Sequence, residues 1–227
     1  MFVAIAVISY LLHSLFASKA NRAEARRDAW EEAETVIKHL APTLPFTSGF
    51  LPTSPCWMAI QQKGVDESYD ASGYHISFKK TAIASCPWTS KYALQCPYSI
   101  ELRAGFEDAS GPGAIKVYFN DVGDQNYASF LLLNNGTAII SRIENGGEAF
   151  VHTVENAAAS ASDARVTIRQ NAESLDVFVD GKPIAEGLAI RLPHEEIGIA
   201  IGGLASAGKG SKKPTKIAFK SFTLNKL

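Results

Sequence analysis

No Asp, Glu, Lys or Arg occurs among the first seventeen residues, and only Ser9, His13 and Ser14 break their apolar run. A helix of that length, rising about 1.5 Å per residue, reaches roughly 26 Å. That is the short end of what crosses a hydrocarbon core of about 30 Å. The segment also lacks the marks of a cleaved signal peptide. No Lys or Arg precedes the apolar stretch, and Leu15-Phe16-Ala17 is a poor small-x-small cleavage site. It lacks the polar stripe that a helix in a soluble domain turns to water. Residues 1–18 are therefore expected to form a retained, single transmembrane helix in contact with membrane lipid.

Cysteine is scarce as well: Cys56, Cys86 and Cys96 are the whole set. Without a Cys-x-x-Cys pair, zinc-ribbon and thioredoxin-type readings fail, and without Cys-x-x-Cys-His so does covalent haem attachment. Spacing alone leaves open whether Cys86 and Cys96 bridge or all three stay as buried thiols. Excess charge of either sign is missing. Lys and Arg number 22 against 23 Asp and Glu, a formal charge of −1, whereas a nucleic-acid binder is usually basic. There is no Gly-x-Ser-x-Gly elbow and no phosphate loop. His13, His39, His75, His152 and His194 are scattered, with no His-x-x-x-His pair.

What is present divides the chain. Over residues 19–41 Trp30, Ala33, Val36, Ile37 and Leu40 recur at three- and four-residue spacing, which predicts an amphipathic helix. Its apolar stripe must pack on the chain's own domain or on a partner protein. Pro42, Pro45, Pro52 and Pro55 then mark residues 42–55 as an extended linker, because proline lacks the amide donor and blocks helix continuation. About 170 residues follow, enough for one well-buried domain over 56–227.

In that domain the apolar period changes to two. Residues 74–78, 98–103, 115–119, 166–169, 175–179, 197–201 and 217–224 alternate, which places apolar side chains on one sheet face. Asn135-Gly136 and Asp180-Gly181 supply the positive φ angles of tight hairpins. Residues 157–163 and 202–215 read as loops by composition. Eleven or twelve short strands, roughly, with turn signals every eight to twelve residues, predict a mainly β, antiparallel jelly-roll sandwich.

The order of these pieces resembles the concanavalin A-like lectin/glucanase superfamily, in particular its laminin-G-like and 3-keto-disaccharide-hydrolase-like branch. The opening strand 98–106, the strand 126–133, the strand 164–168 and the hairpin 175–184 carry the likeness. Strands 196–201 and 217–224 complete it. The resemblance implies a sandwich fold and, by analogy, an extracytoplasmic (periplasmic) domain. Lys19, Arg22, Arg26 and Arg27 pull the other way, since the positive-inside rule puts them in the cytoplasm. Glycosidases of the superfamily share a Glu-x-Asp-x-x-Glu strand, whose alternate carboxylates enter one cleft. No such run occurs here, so no catalytic residue is assigned and a glycoside hydrolase is the third-ranked expectation.

Weaker candidates remain. Asp121, Asp124 and Asn126 share one turn at a spacing that suits Ca²⁺, although the same residues are ordinary turn formers; no other cofactor is expected. Trp88, Tyr118 and Tyr127 suit stacking on sugar rings if they face outward. Lys209, Lys212, Lys213 and Lys216 read as a solubilising loop, or as a contact with acidic lipid or a partner. The leading expectation is a non-catalytic, membrane-anchored accessory subunit of a larger membrane protein complex, with respiratory or photosynthetic complexes as hosts. The second is a membrane-tethered carbohydrate-binding module.

Overall fold

A strand with one apolar face is stable only when a second layer covers that face. The computed structural model describes residues 46–48, 64–87, 97–108, 111–121, 126–190, 198–205 and 214–227. These belong to the second of two units into which the chain divides, Pro42–Leu227. The expected transmembrane segment 1–18 lies outside the described residues. So does the amphipathic segment 19–41 with Trp30, Ala33, Val36, Ile37 and Leu40. Among the described residues, no helix is long and apolar enough to cross a membrane.

The described residues form two antiparallel sheets. One contains β1 (Phe46–Ser48), β2 (Val65–Asp70), β3 (Gly73–Phe78), β5 (Tyr98–Asp108), β10 (Ala164–Gln170), β11 (Ser174–Val179), β12 (Lys182–Ala189) and β14 (Thr215–Lys226). Its order is β12-β11-β10-β5-β14-β3-β2, with β1 added to β14. The other contains β4 (Ala82–Pro87), β6 (Gly113–Asp121), β7 (Tyr127–Leu133), β8 (Ala138–Glu144), β9 (Gly147–Val154) and β13 (Gly198–Ala205), in the order β4-β13-β6-β7-β8-β9. β14 pairs with β5 along most of its length. Its opposite edge is divided between β3 at Thr215–Phe219 and β1 at Phe222–Leu224. An extended backbone between prolines is already shaped for pairing, which is how three residues of the expected linker become β1.

Alternation decides what is buried. Ile115, Val117 and Phe119 of β6 point inward, and so do Phe130 and Leu132 of β7 and Ile140 of β8, all at most 1% exposed. They meet Ile100 and Leu102 of β5, Val166 and Ile168 of β10, and Phe219, Phe222 and Leu224 of β14 in one apolar core.

Two local expectations differ from what forms. Residues 202–205 were expected to be loop because of Gly202 and Gly203, yet they are the second half of β13. Gly203 is there for space: a Cβ on it would lie 2.6 Å from Ile217 Cδ1 and 3.3 Å from Phe78 Cζ, both on the opposite sheet. The glycine lets the sheets approach rather than ending the strand. Lys216, expected in the same loop, stands in β14 opposite Ser77 and Asp108. The turn between β7 and β8 also differs. Only Gly136 has positive φ there, +84°, and its N–H donates to the Leu133 carbonyl at 2.9 Å. That is a three-residue connection rather than a two-residue type I′ turn, which needs positive φ at both central residues. Asp180 and Gly181 do have both angles positive, at +53° and +77°, and join β11 to β12 as a two-residue hairpin. Asn145 and Gly146, at +51° and +76°, make a second one between β8 and β9.

Candidate functional site

β6 is a central strand of the six-stranded sheet, so the residues between its core positions face outward in mid-sheet. They are Lys116 and Tyr118, both half-buried. Across the strand pairs, Lys116 stands between Gly202 and Leu131, and Tyr118 between Ala200 and Ser129. Ser129 is opposite Ser141 on β8, which is opposite Val151 on β9. Leu131 is opposite Ile139, and Tyr127 opposite Ile143. None of these outward residues is a carboxylate.

Tyr118 and Tyr127 come together here, with ring centroids 5.4 Å apart and planes inclined by 64°, an edge-to-face pair. Lys116 lies between them. Its Nζ is 4.0 Å from the Tyr118 ring centroid and 5.5 Å from that of Tyr127. Burial pushes the pKa of Lys116 down, and Tyr127 offsets part of that. Among the described residues the other Lys and Arg side chains with a close partner meet a carboxylate or a single ring: Lys79 pairs with Asp66, Arg103 and Lys220 with Asp163, Arg142 with Glu144, and Arg169 covers Phe178. Lys116 makes no ion pair among the described residues. Its ammonium occupies one face of the Tyr118 ring, so the pair is a mixed cationic and aromatic surface rather than two bare stacking rings.

The remaining candidates separate. Trp88 and Asp124 lie outside the described residues, as do Cys56 and Cys96 and the side chains of Asp121 and Cys86. Asn126 is described, and its side-chain oxygen accepts the Asn145 N–H at 3.0 Å. That bond ties the turn before β7 to the β8–β9 hairpin, which is the turn-forming role its chemistry allows. Among the described residues no three His, Cys, Asp or Glu side chains gather to hold a metal.

A second polar cluster, absent from the sequence expectations, stands on the eight-stranded sheet. His75 of β3 places Nδ1 3.2 Å from Glu107 Oε1 of β5, and Nε2 3.0 Å from the Ser72 hydroxyl and 3.2 Å from Asp70 Oδ1. The spacing resembles a serine–histidine–acid relay, but the Ser72 hydroxyl donates its proton to Asp70 at 2.6 Å. Asp70 also accepts the Ser72 N–H at 2.7 Å. The Ser72 hydroxyl, then its N–H, and more weakly His75, bring the Asp70 carboxyl down to about 2. An activated serine must give its proton to the base. This one gives it to a carboxylate, and the cluster instead joins the β2–β3 turn to β5. Asp70-x-Ser72-x-x-His75 was the available sequence signal.

No protein-family model matches the chain, and a search of curated proteins finds no match. Solved structures do match. The carbohydrate-binding module CBM66 from Bacillus subtilis is 10% identical, over 81% of this chain and 99% of its own, with a TM-score of 0.55. A β-glucanase from Bacillus licheniformis is 12% identical over 81% and 98%, with a TM-score of 0.58. The apo Crh5 transglycosylase is 13% identical over 82% and 88%, with a TM-score of 0.62. The fold is concanavalin A-like. Identities this low establish the architecture and nothing about activity. The concanavalin A-like sandwich agrees with the resemblance carried by strands 98–106 and 217–224 and by the hairpin 175–184.

Proposed function

We propose that the chain is a membrane-tethered saccharide-binding module that binds through the outward face of its six-stranded sheet. The observation that carries this reading is the joining of Lys116, Tyr118 and Tyr127 on that face. Aromatic rings accept the C–H faces of pyranoses, and polar groups beside them fix orientation. The match to a carbohydrate-binding module of the same fold supports it. Residues 1–18 provide the tether, on the strength of their apolar sequence. A saccharide ligand would be met on the extracytoplasmic side. The test is a glycan array with the full chain in detergent. Signal on a defined saccharide class, lost in Tyr118→Ala and Tyr127→Ala, supports the reading; no signal on any saccharide removes it. Release of reducing sugar from a bound saccharide would move the chain to the hydrolases.

An accessory-subunit role is the second reading, favoured by the apolar content of the same sheet. Ile83 on β4 is 56% exposed and Val151 on β9 is 45% exposed, at its two edge strands. The apolar stripe that the sequence leads one to expect from Trp30 to Leu40 would supply further surface for a protein partner. Blue-native electrophoresis of undisturbed membranes decides it. Migration within a larger assembly supports this role, and migration as a free monomer ends it.

A further inference from the structure

We propose that the saccharide taken by this face carries a carboxylate, as a uronic acid does, and that Lys116 selects it. The inference rests on the saccharide-binding reading above and specifies its ligand.

Lys116 is the one cation among the outward residues of β6, β7 and β8 whose positions are set by the strand pairing, and its cross-strand neighbours Gly202 and Leu131 carry no charge. A half-buried ammonium normally has a carboxylate to offset its lost hydration. Among the described residues this one has only aromatic rings, at 4.0 and 5.5 Å. Elsewhere in the sandwich Asp163 serves two cations at once. No described residue brings a counter-charge to Lys116, and a ligand is able to bring it. Burial lowering the Lys116 pKa agrees with an ammonium short of solvation.

The ligand's form follows from the same geometry. A pyranose laid against Tyr127 brings its C6 carboxylate into the neighbourhood of Nζ, which stands 5.5 Å from the centre of that ring. One lysine is a point charge with three donors, suited to a single carboxylate. A multiply sulfated or phosphorylated chain calls for several cations, and the outward positions of β6, β7 and β8 offer Lys116 alone. Leu131 stands opposite it and Ile139 beyond, so the contact forms beside apolar side chains, where a charge pair is stronger than in open water.

The test compares oligogalacturonate, oligoglucuronate and alginate oligosaccharides with their methyl esters and with neutral oligosaccharides, by calorimetry on the full chain in detergent. The methyl ester keeps the sugar and removes the charge. At least one free acid should bind about tenfold or more tighter than its ester, and added salt should narrow the gap. Lys116→Met should abolish the preference for acid over ester, while Lys116→Arg should keep most of it. Melting curves establish that each variant is folded; if Lys116→Met is not, the salt series and Lys116→Arg carry the test. Equal binding of acid and ester overturns the proposal, as does a preference that survives Lys116→Met. Binding of neutral sugars alone overturns it but leaves the saccharide-binding reading standing. Binding of no saccharide ends both.

Discussion

The Ser129 hydroxyl lies 2.8 Å from the Ser141 hydroxyl, in register across β7 and β8. Both stand on the outward side of the sheet, beside Tyr118, yet both are buried. Each supplies the other's hydrogen bond. Ser129→Ala should cost about 1 kcal/mol, because it leaves the Ser141 hydroxyl buried without that partner. The double variant Ser129→Ala, Ser141→Ala should cost less than the sum of the singles. Chemical denaturation of the four proteins measures the coupling, and strict additivity would show that the two hydroxyls do not depend on each other.

Gly105 and Gly181 are expected to respond differently to alanine. A Cβ on Gly105 would lie 1.9 Å from the Ser162 carbonyl oxygen and 2.8 Å from the Asp163 nitrogen, both main-chain atoms. That backbone is held by the Phe106 N–H, which donates to the Ala161 carbonyl at 2.9 Å. Gly105→Ala should therefore destabilise by about 3 kcal/mol or more. Gly181 has open space around it and only its φ of +77° to protect, so Gly181→Ala should cost about 1 kcal/mol. Equal losses in urea unfolding would contradict the close approach at Gly105.

Two carboxyls should shape the acid side of the stability profile, with opposite signs. Arg103 through two hydrogen bonds, then Lys220 through one, hold the Asp163 carboxyl well below the usual range. The folded state then sheds this proton more readily than the unfolded chain. Its stabilisation is complete above the unfolded value near 3.9 and is lost as pH falls through the lowered one. Asp163 and both partners are partly exposed, so solvent screening limits the effect to about 1 kcal/mol or less. Asp163→Asn should lower the melting temperature near neutral pH and flatten the decline below about pH 4.

Glu67 works the other way. Burial pushes its pKa up, and the Tyr74 hydroxyl brings it part of the way back, although neither carboxyl oxygen completes a hydrogen bond of good distance and angle. Burial is the larger of the two effects. A raised folded pKa stabilises below the unfolded value and loses that contribution as pH rises through the folded one. Glu67→Gln should thus raise the melting temperature near neutral pH and leave it unchanged near pH 3. A drop at neutral pH would show that the charged carboxylate is well accommodated.

Much of the sandwich was legible because alternation and turn chemistry pointed to the same places. Residues 98–103 and 175–179 alternate cleanly, and Asp180-Gly181 sits between two apolar runs. β9 was not legible. Gly147-Glu-Ala-Phe-Val-His-Thr-Val154 is an edge strand with several exposed residues, so its pattern is weak. Its hairpin residues Asn145-Gly146 were an overlooked signal. At 202–205 composition pointed to a loop, whereas Gly203 answers to Ile217 and Phe78 on the other sheet, contacts remote in sequence. Tyr118 and Tyr127 were legible as strand aromatics, but their meeting depends on the β6–β7 register. Lys116 was in reach of the same logic: two residues from Tyr118 in a strand is the same face.

The most direct test of saccharide binding by the outward face of the six-stranded sheet is an amide NMR titration of the full chain in detergent with the acidic and neutral oligosaccharides. The account predicts shifts concentrated at residues 116–118 and 127–131, with little change in β10, β11 and β12. Shifts confined to the eight-stranded sheet, or none with any oligosaccharide, would contradict it.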